Sequence, residues 1–155
     1  MGEEIRALLL YSLRHPLAAL RQALQGQGIK TVQARNCAEA TCLLQKPGPP
    51  HLLFTDTQLP DGNWADAIRI AQKAADPVNV IVVSRLVDVR FYIEALQSGA
   101  FDFIAPPFED AELAHVVRCA AGNVEARRHT KSKAEELTTP AFASAQKPLF
   151  RSFKN

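Results

Sequence analysis

The sequence predicts an α/β domain built on a parallel sheet with helices on both faces. Three observations carry that prediction. Short apolar runs recur along the chain, Ala7-Leu8-Leu9-Leu10, Leu52-Leu53-Phe54 and Val80-Ile81-Val82-Val83. Each is too short for a helix and is bounded by polar or turn residues, which is how buried strands read. Between the runs, apolar residues repeat at three- and four-residue spacing, the period of a helix packed by one face. The links are short, and strand–helix alternation through short links leads to a parallel sheet.

The elements follow in order. Ile5 to Leu10 is the first strand. Leu13, Leu17, Leu20 and Leu24 form one face of the first helix. Pro16 suits its first turn, and Gly26 and Gly28 close it. Ile29 to Ala34 is the second strand. Asn36 with Glu39 three residues on resembles a capping box and opens a helix with Cys37, Thr41 and Leu44 on one side. Lys46-Pro47-Gly48-Pro49-Pro50 is a connector, since it suits neither a helix nor a central strand. The third strand ends at Asp56, ahead of a Pro60-Asp61-Gly62 turn.

Asn63 is the expected N-cap of a helix with Trp64, Ile68, Ala71 and Ala75 inward, stopped by Asp76-Pro77. Val80 to Val83 is the most β-branched run and reads as a central strand, ending at Ser84-Arg85. Val89, Ile93 and Leu96 mark a fourth helix, closed by Ser98-Gly99. Phe101 to Ile104 is the last strand, followed by Ala105-Pro106-Pro107-Phe108. Glu109 or Asp110 then starts a helix with Leu113, Val116, Val117 and Ala120 inward. Five strand–helix repeats with right-handed crossovers give a flavodoxin-like, doubly wound five-stranded parallel sheet, (βα)5, closing near residue 122.

The length of 155 residues suits one domain over 1–122, with 123–155 as a helix extension and a basic, Pro-containing tail. Arg127 to Lys133 prolongs the last helix in this reading, and Pro140, Phe142, Pro148, Phe150 and Phe153 belong to a linker. Residues 1–122 carry 11 Lys and Arg against 13 Asp and Glu, a net −2, while 123–155 carry 7 against 3, a net +4. The basic end reads as solvated, and it is too short for a helix-turn-helix module, so nucleic-acid binding within this chain is not expected. No apolar run is long enough to span a bilayer, and the acidic start Met1-Gly2-Glu3-Glu4 lacks a signal-peptide pattern, so a cytoplasmic location is expected. Cys37, Cys42 and Cys119 show no Cys-x-x-Cys spacing and read as small buried apolar residues of a reduced compartment. His15, His51, His115 and His129 are dispersed, so no metal cluster is expected.

Asp56 stands where a buried strand stops, at the edge where ligands gather in open parallel sheets. On residue type alone a loop-shaping role is the better reading, since single acidic loop residues are ordinary. The neighbouring motifs change the balance. Over about residues 5–122 the chain resembles a response-regulator receiver domain of bacterial two-component signalling. Leu53 to Gly62 matches that family's phosphoacceptor strand and following turn. Ser84 stands at its Ser/Thr position, Ser98-Gly99-Ala100-Phe101-Asp102-Phe103 matches the approach to its switch aromatic, and Pro107-Phe108 matches the pair after its fifth strand. The resemblance implies Asp56 at the phosphoacceptor position and Ser84 and Phe103 at the switch positions. It implies a signalling role rather than catalysis. The partner would be a sensor kinase or an output protein or domain, or a second copy through residues 87–122, where Tyr92 lies.

Two departures stand out. The family ends its first strand in an acidic pair that holds Mg2+, and here those positions are Tyr11 and Ser12. It places a lysine before the Pro-Phe pair, and here that position is Pro106. Moving a phosphoryl group onto a carboxylate brings like charges together, and positioned cations supply nearly all of the catalysis. Mg2+ takes oxygen ligands that commonly include one or two carboxylates. Neither a phenol nor a hydroxyl is charged near neutral pH. The expectation is therefore a degenerate receiver with no bound cofactor and with weak or absent autophosphorylation. Arg85 is the expected substitute, a cation placed to pair with Asp56. Trp64 reads as helix core and His15 as a helix-start residue. A haloacid-dehalogenase type of aspartyl-phosphate hydrolase is the alternative, and it is disfavoured because Gln58 stands where that family needs a second aspartate.

Overall fold

Along the first strand Leu8 and Leu10 turn to one side and Leu9 to the other, and all three are fully buried. A strand with both faces covered has no polar alternation, which is why these runs are continuously apolar. The computed structural model describes residues 4–12, 16–86 and 88–137. Its elements are β1 (Arg6–Leu10), α1 (Pro16–Gly26), β2 (Lys30–Ala34), α2 (Cys37–Gln45), β3 (Leu52–Thr55), β4 (Gln58–Leu59), β5 (Gly62–Asn63), α3 (Trp64–Gln72), β6 (Asn79–Val83), α4 (Val89–Ser98), β7 (Asp102–Ile104) and α5 (Asp110–Leu137). The main sheet is five-stranded and parallel in the order β2-β1-β3-β6-β7, while β4 and β5 form a small antiparallel hairpin. Helices α2, α3 and α4 pack over one face through Ala40, Leu44, Ala67, Ile68 and Ala95. Helices α1 and α5 cover the other through Leu17, Leu20, Leu24, Leu113 and Val117. This is the expected flavodoxin-like doubly wound sheet.

Local chemistry fixes the helix starts. The Asn36 side chain accepts from the Glu39 N–H at 2.8 Å, while the Glu39 carboxylate accepts from Arg35 N–H, one residue before the cap. The Asn63 cap is a complete capping box with Asp66. Three features of the helices differ from the sequence reading. Helix α3 ends at Gln72, so Ala75 lies outside it and donates its N–H to Leu44 O at 3.0 Å. In α2 it is Ala40 rather than Thr41 that is buried, and the Thr41 hydroxyl donates to Cys37 O. In α4 only Ala95 is buried, and Val89 and Ile93 are 72% and 46% exposed. Of the cysteines, Cys37 alone is buried, whereas Cys42 and Cys119 are exposed. Residue type does not distinguish the inner and outer faces of such short helices.

Helix α5 runs through residue 122 without a break, for 28 residues, about 42 Å at the usual helical rise. Its second half is largely exposed but is tied to the body at three residues. Arg127 donates to Asn79 Oδ1 at 2.6 Å, Arg128 donates to the carbonyls of Pro49, Pro50 and Pro77, and Lys131 donates to Ala75 O and meets Asp76 at 3.0 Å. Asn79 in turn donates to Ala120 O and Asn123 Oδ1. Residues that read as a basic, solvated end therefore satisfy loop carbonyls at the amino ends of β3 and β6. His51, fully buried beside them, accepts the Arg6 N–H at Nδ1. Leu13, His15 and the residues from 138 onward, with Pro140, Phe142, Pro148, Phe150 and Phe153, lie outside the described residues.

Candidate functional site

Parallel register sets the site. Leu10 pairs with Thr55, Thr55 with Val82, and Val83 with Ile104. The residues just past these positions, Tyr11, Asp56, Ser84 and Ala105-Pro106, therefore line one carboxyl edge. Asp56 stands in the middle strand, where its N–H donates to Leu10 O at 3.0 Å. Its carboxylate accepts the Thr57 N–H at 2.7 Å, and its side chain is only partly exposed. Ser84 is 8% exposed, and its hydroxyl oxygen accepts the Leu86 N–H at 3.1 Å, so it shapes the loop leading to α4. The Pro106–Pro107 peptide is cis.

The loop after Asp56 is tied down on both sides. Trp64 N–H donates to Thr57 O at 3.2 Å. Asp61 crosses to the start of α2, where its carboxylate accepts the N–H groups of Cys37 and Ala38 at 2.7 and 3.1 Å. Those donors are free in a helix's first turn, and they favour negative charge. The Cys37 N–H bond is the main cause that holds the Asp61 carboxyl below its usual range. Burial, then the Asp61 charge, pushes the Cys37 thiol from 9.0 up to about 11. Folding and protonation of Asp61 are linked. A depressed folded value means its contribution is complete above the ordinary carboxylate range and is lost as pH falls through the folded value. Cys37 works the other way, and stability falls as pH rises from 9.0 through about 11. Urea unfolding across pH is expected to show the acid loss in the native chain and to lack that part of it in Asp61→Asn. An unchanged acid limb would contradict this reading.

Phe103 sits in an aromatic group that the sequence did not reveal. Its ring lies 5.1 Å from Phe91 and 5.9 Å from Tyr92, both edge-on, and Phe91 lies 5.3 Å from Trp64. Such edge contacts are favourable beyond the area they bury. They link the start of α3 to α4 and β7. Trp64 is half-buried within this group rather than deep core.

The chain matches the family described as response regulator receiver domain over residues 14–118. This chain is a response regulator receiver domain. Among curated relatives it is 30% identical over 127 residues to the response regulator protein PilR of Pseudomonas aeruginosa, which covers 82% of this chain and 27% of that protein. It is 34% identical over 118 residues to the KDP operon transcriptional regulatory protein KdpE of Escherichia coli, covering 76% of this chain and 49% of that protein. The chain thus spans half or less of these relatives' length. Solved structures share the fold. NtrX from Brucella abortus aligns with a TM-score of 0.70 at 20% identity, over 84% of this chain and 29% of that one. The beryllofluoride-activated NtrC4 receiver domain dimer aligns with a TM-score of 0.65 at 22% identity, over 77% and 98%.

In this receiver domain the donor set beside Asp56 does not suit a magnesium ion. Tyr11 is 5% exposed and belongs, with Leu9, Leu17 and Phe54, to the apolar layer under α1 and α5. Ser12 is exposed and offers an uncharged hydroxyl, and Pro106 offers no side-chain donor or cation. Among the described residues no group of three His, Cys, Asp or Glu side chains converges as a metal would require. The substitute expected from the sequence is not formed. Among the described residues no hydrogen bond or ion pair joins Arg85 to Asp56, and Arg85 is exposed. A long, flexible arginine at an exposed turn gains too little from one carboxylate to be held there. No helix of the described residues is long and apolar enough to cross a membrane.

Proposed function

We propose that this domain is a degenerate receiver, signalling by contact rather than by taking a phosphoryl group on Asp56. The observation that carries this reading is the donor set just described: one carboxylate, a buried phenol, an exposed hydroxyl and a proline. Asp56 keeps the acceptor position, and Ser84 and Phe103 keep the switch positions. The Ser84 hydroxyl is engaged by Leu86, and Phe103 has no hydroxyl, so the aromatic group around Phe103 sets the conformation of α4 and β7. The domain binds no resident cofactor, is not itself an enzyme and works in the cytoplasm.

The surface offered to a partner lies on α4, β7 and α5. Leu86, Val89, Tyr92 and Ile93 are exposed together at the start of α4. Beside them a groove of about 520 Å³ runs between β7 and α5, lined by Phe103, Pro107, Phe108, Glu112 and Val116. Apolar surface of this kind, rimmed by charge, suits an output domain, a sensor kinase or a second copy through residues 87–122. Incubation with a small phosphodonor and Mg2+, followed by intact-mass measurement, tests the reading. The expected result is no phosphoryl adduct within the lifetime of an aspartyl phosphate. A stoichiometric adduct that Asp56→Asn abolishes would overturn it.

A further inference from the structure

We propose that the second half of α5 is a pH-sensitive latch, closed on the amino edge of the sheet while His51 is neutral and lifting as that ring takes up a proton. His51 is fully buried just before β3. Its backbone joins the two neighbouring strands, donating its N–H to Arg6 O at 3.0 Å and accepting the Asn79 N–H at 3.1 Å. Arg6 answers with its own N–H, which donates to His51 Nδ1 at 3.2 Å. A backbone N–H only donates, so the ring nitrogen that faces it carries no proton. The closed form therefore holds the ring neutral.

The charged groups around the ring come from two elements. On β1, the Arg6 guanidinium bonds the carbonyls of Gly48 and Pro49. On α5, Arg128 bonds those of Pro49 and Pro50, the residue before His51, and Glu125 brings a carboxylate oxygen to 3.9 Å from Nε2. The neighbour on β6 is the uncharged Asn79. A second ring proton sets donor against donor at Arg6 and adds a buried cation beside the guanidinium groups. Glu125 counters with one carboxylate whose side chain is 45% exposed, and solvent weakens such a pair. A lifted arm lets the ring turn to water and take the proton. The closed form thus binds fewer protons than the open one, and it loses stability as pH falls through the ordinary histidine range, about 6.5. The arm is built to lift. Past Val124 no described residue of α5 is buried, and the arm is held by the polar contacts of Arg127, Arg128 and Lys131. Segments held mainly by exposed polar bonds open at low cost. Leu113, Val117, Ala120 and Ala121 keep the first half of α5 on the sheet. None of this depends on the state of Asp56.

The test is histidine-ring NMR and backbone hydrogen exchange of the full chain between about pH 8 and pH 5. Protection factors over residues 125–137 are expected to fall roughly tenfold or more in step with the charging of His51, while β1, β3 and β6 keep theirs. His51→Asn, whose side-chain oxygen still accepts the Arg6 N–H, is expected to remove the pH dependence. His129→Gln, changing the exposed histidine of the arm, leaves it intact, and Arg128→Ala opens the arm at both ends of the range. A charged His51 with unchanged protection over 125–137, a response that persists in His51→Asn, or a loss of protection shared by the strands would each overturn the proposal. If His51→Asn does not fold, the coincidence of the two titrations in the native chain decides the matter.

Discussion

Gly99→Val is expected to lower the stability of the domain by about 2–5 kcal/mol, the sum of two costs. Gly99 closes α4 with φ at 118°, a conformation that side chains with a Cβ rarely adopt. A left-handed backbone costs such residues about 1–2 kcal/mol. The space is also tight: a Cβ there falls 3.2 Å from Cγ2 of the buried Ile68 on α3, and 2.9 Å from Nε2 at the flexible end of the exposed Gln72, which can swing aside. Forcing extra carbon into a packed contact costs about 1–3 kcal/mol more. For a domain of this size the melting temperature should fall by roughly 10 °C or more. Gly26→Ala is the matched control. Gly26 is helical and a Cβ on it meets nothing within 4 Å, so the change should be neutral or stabilise by up to about 1 kcal/mol. Equal losses in the two variants would show that the α3–α4 contact is not what Gly99 protects.

Ser12→Asp combined with Pro106→Lys is expected to give the Asp56 edge a stronger response to Mg2+ than the native chain shows in the same titration. Ser12 is exposed, so a carboxylate there remains solvated until it meets a metal. The lysine returns the second cation to the far side of Asp56. Tyr11 is left in place because it is 5% exposed within the apolar layer, and a carboxylate in its position would be buried without a partner. Magnesium affinity should rise at least tenfold, about 1.4 kcal/mol. Trp64, the only tryptophan of the chain, offers the readout, since its backbone N–H is bonded to Thr57 O one residue past the acceptor. A double variant that responds no more than the native chain would show that positions 12 and 106 do not govern Mg2+ binding at this edge.

Most of the architecture was legible because it rests on periodicity. Continuous apolar runs become strands buried on both faces, and three- and four-residue repeats become helices buried on one, whatever the partner sequence. The carboxyl-edge site was legible for the same reason, because strand ends in a parallel sheet share an edge. What the sequence hid depends on orientation. Arg85 read as a partner for Asp56, yet an exposed turn carries it away. Val89 and Ile93 have core chemistry but face out, since nothing in ten residues of α4 marks which side meets the sheet. Arg127, Arg128 and Lys131 looked like a charged tail, but Arg128 and Lys131 satisfy loop carbonyls and Arg127 the Asn79 side chain, about 50 to 80 positions earlier in the chain. Asp61 looked like an ordinary turn residue, whereas it ties the acceptor loop to the start of α2.

Backbone NMR of the native chain titrated with Mg2+ and beryllofluoride tests the degenerate reading most directly, because it reports each residue without requiring turnover. Resonances of Asp56, Thr57, Ser84 and Phe103 are expected to hold their positions apart from small, unsaturable drifts. Saturable shifts at Asp56 and Ser84 that need both Mg2+ and beryllofluoride would contradict it.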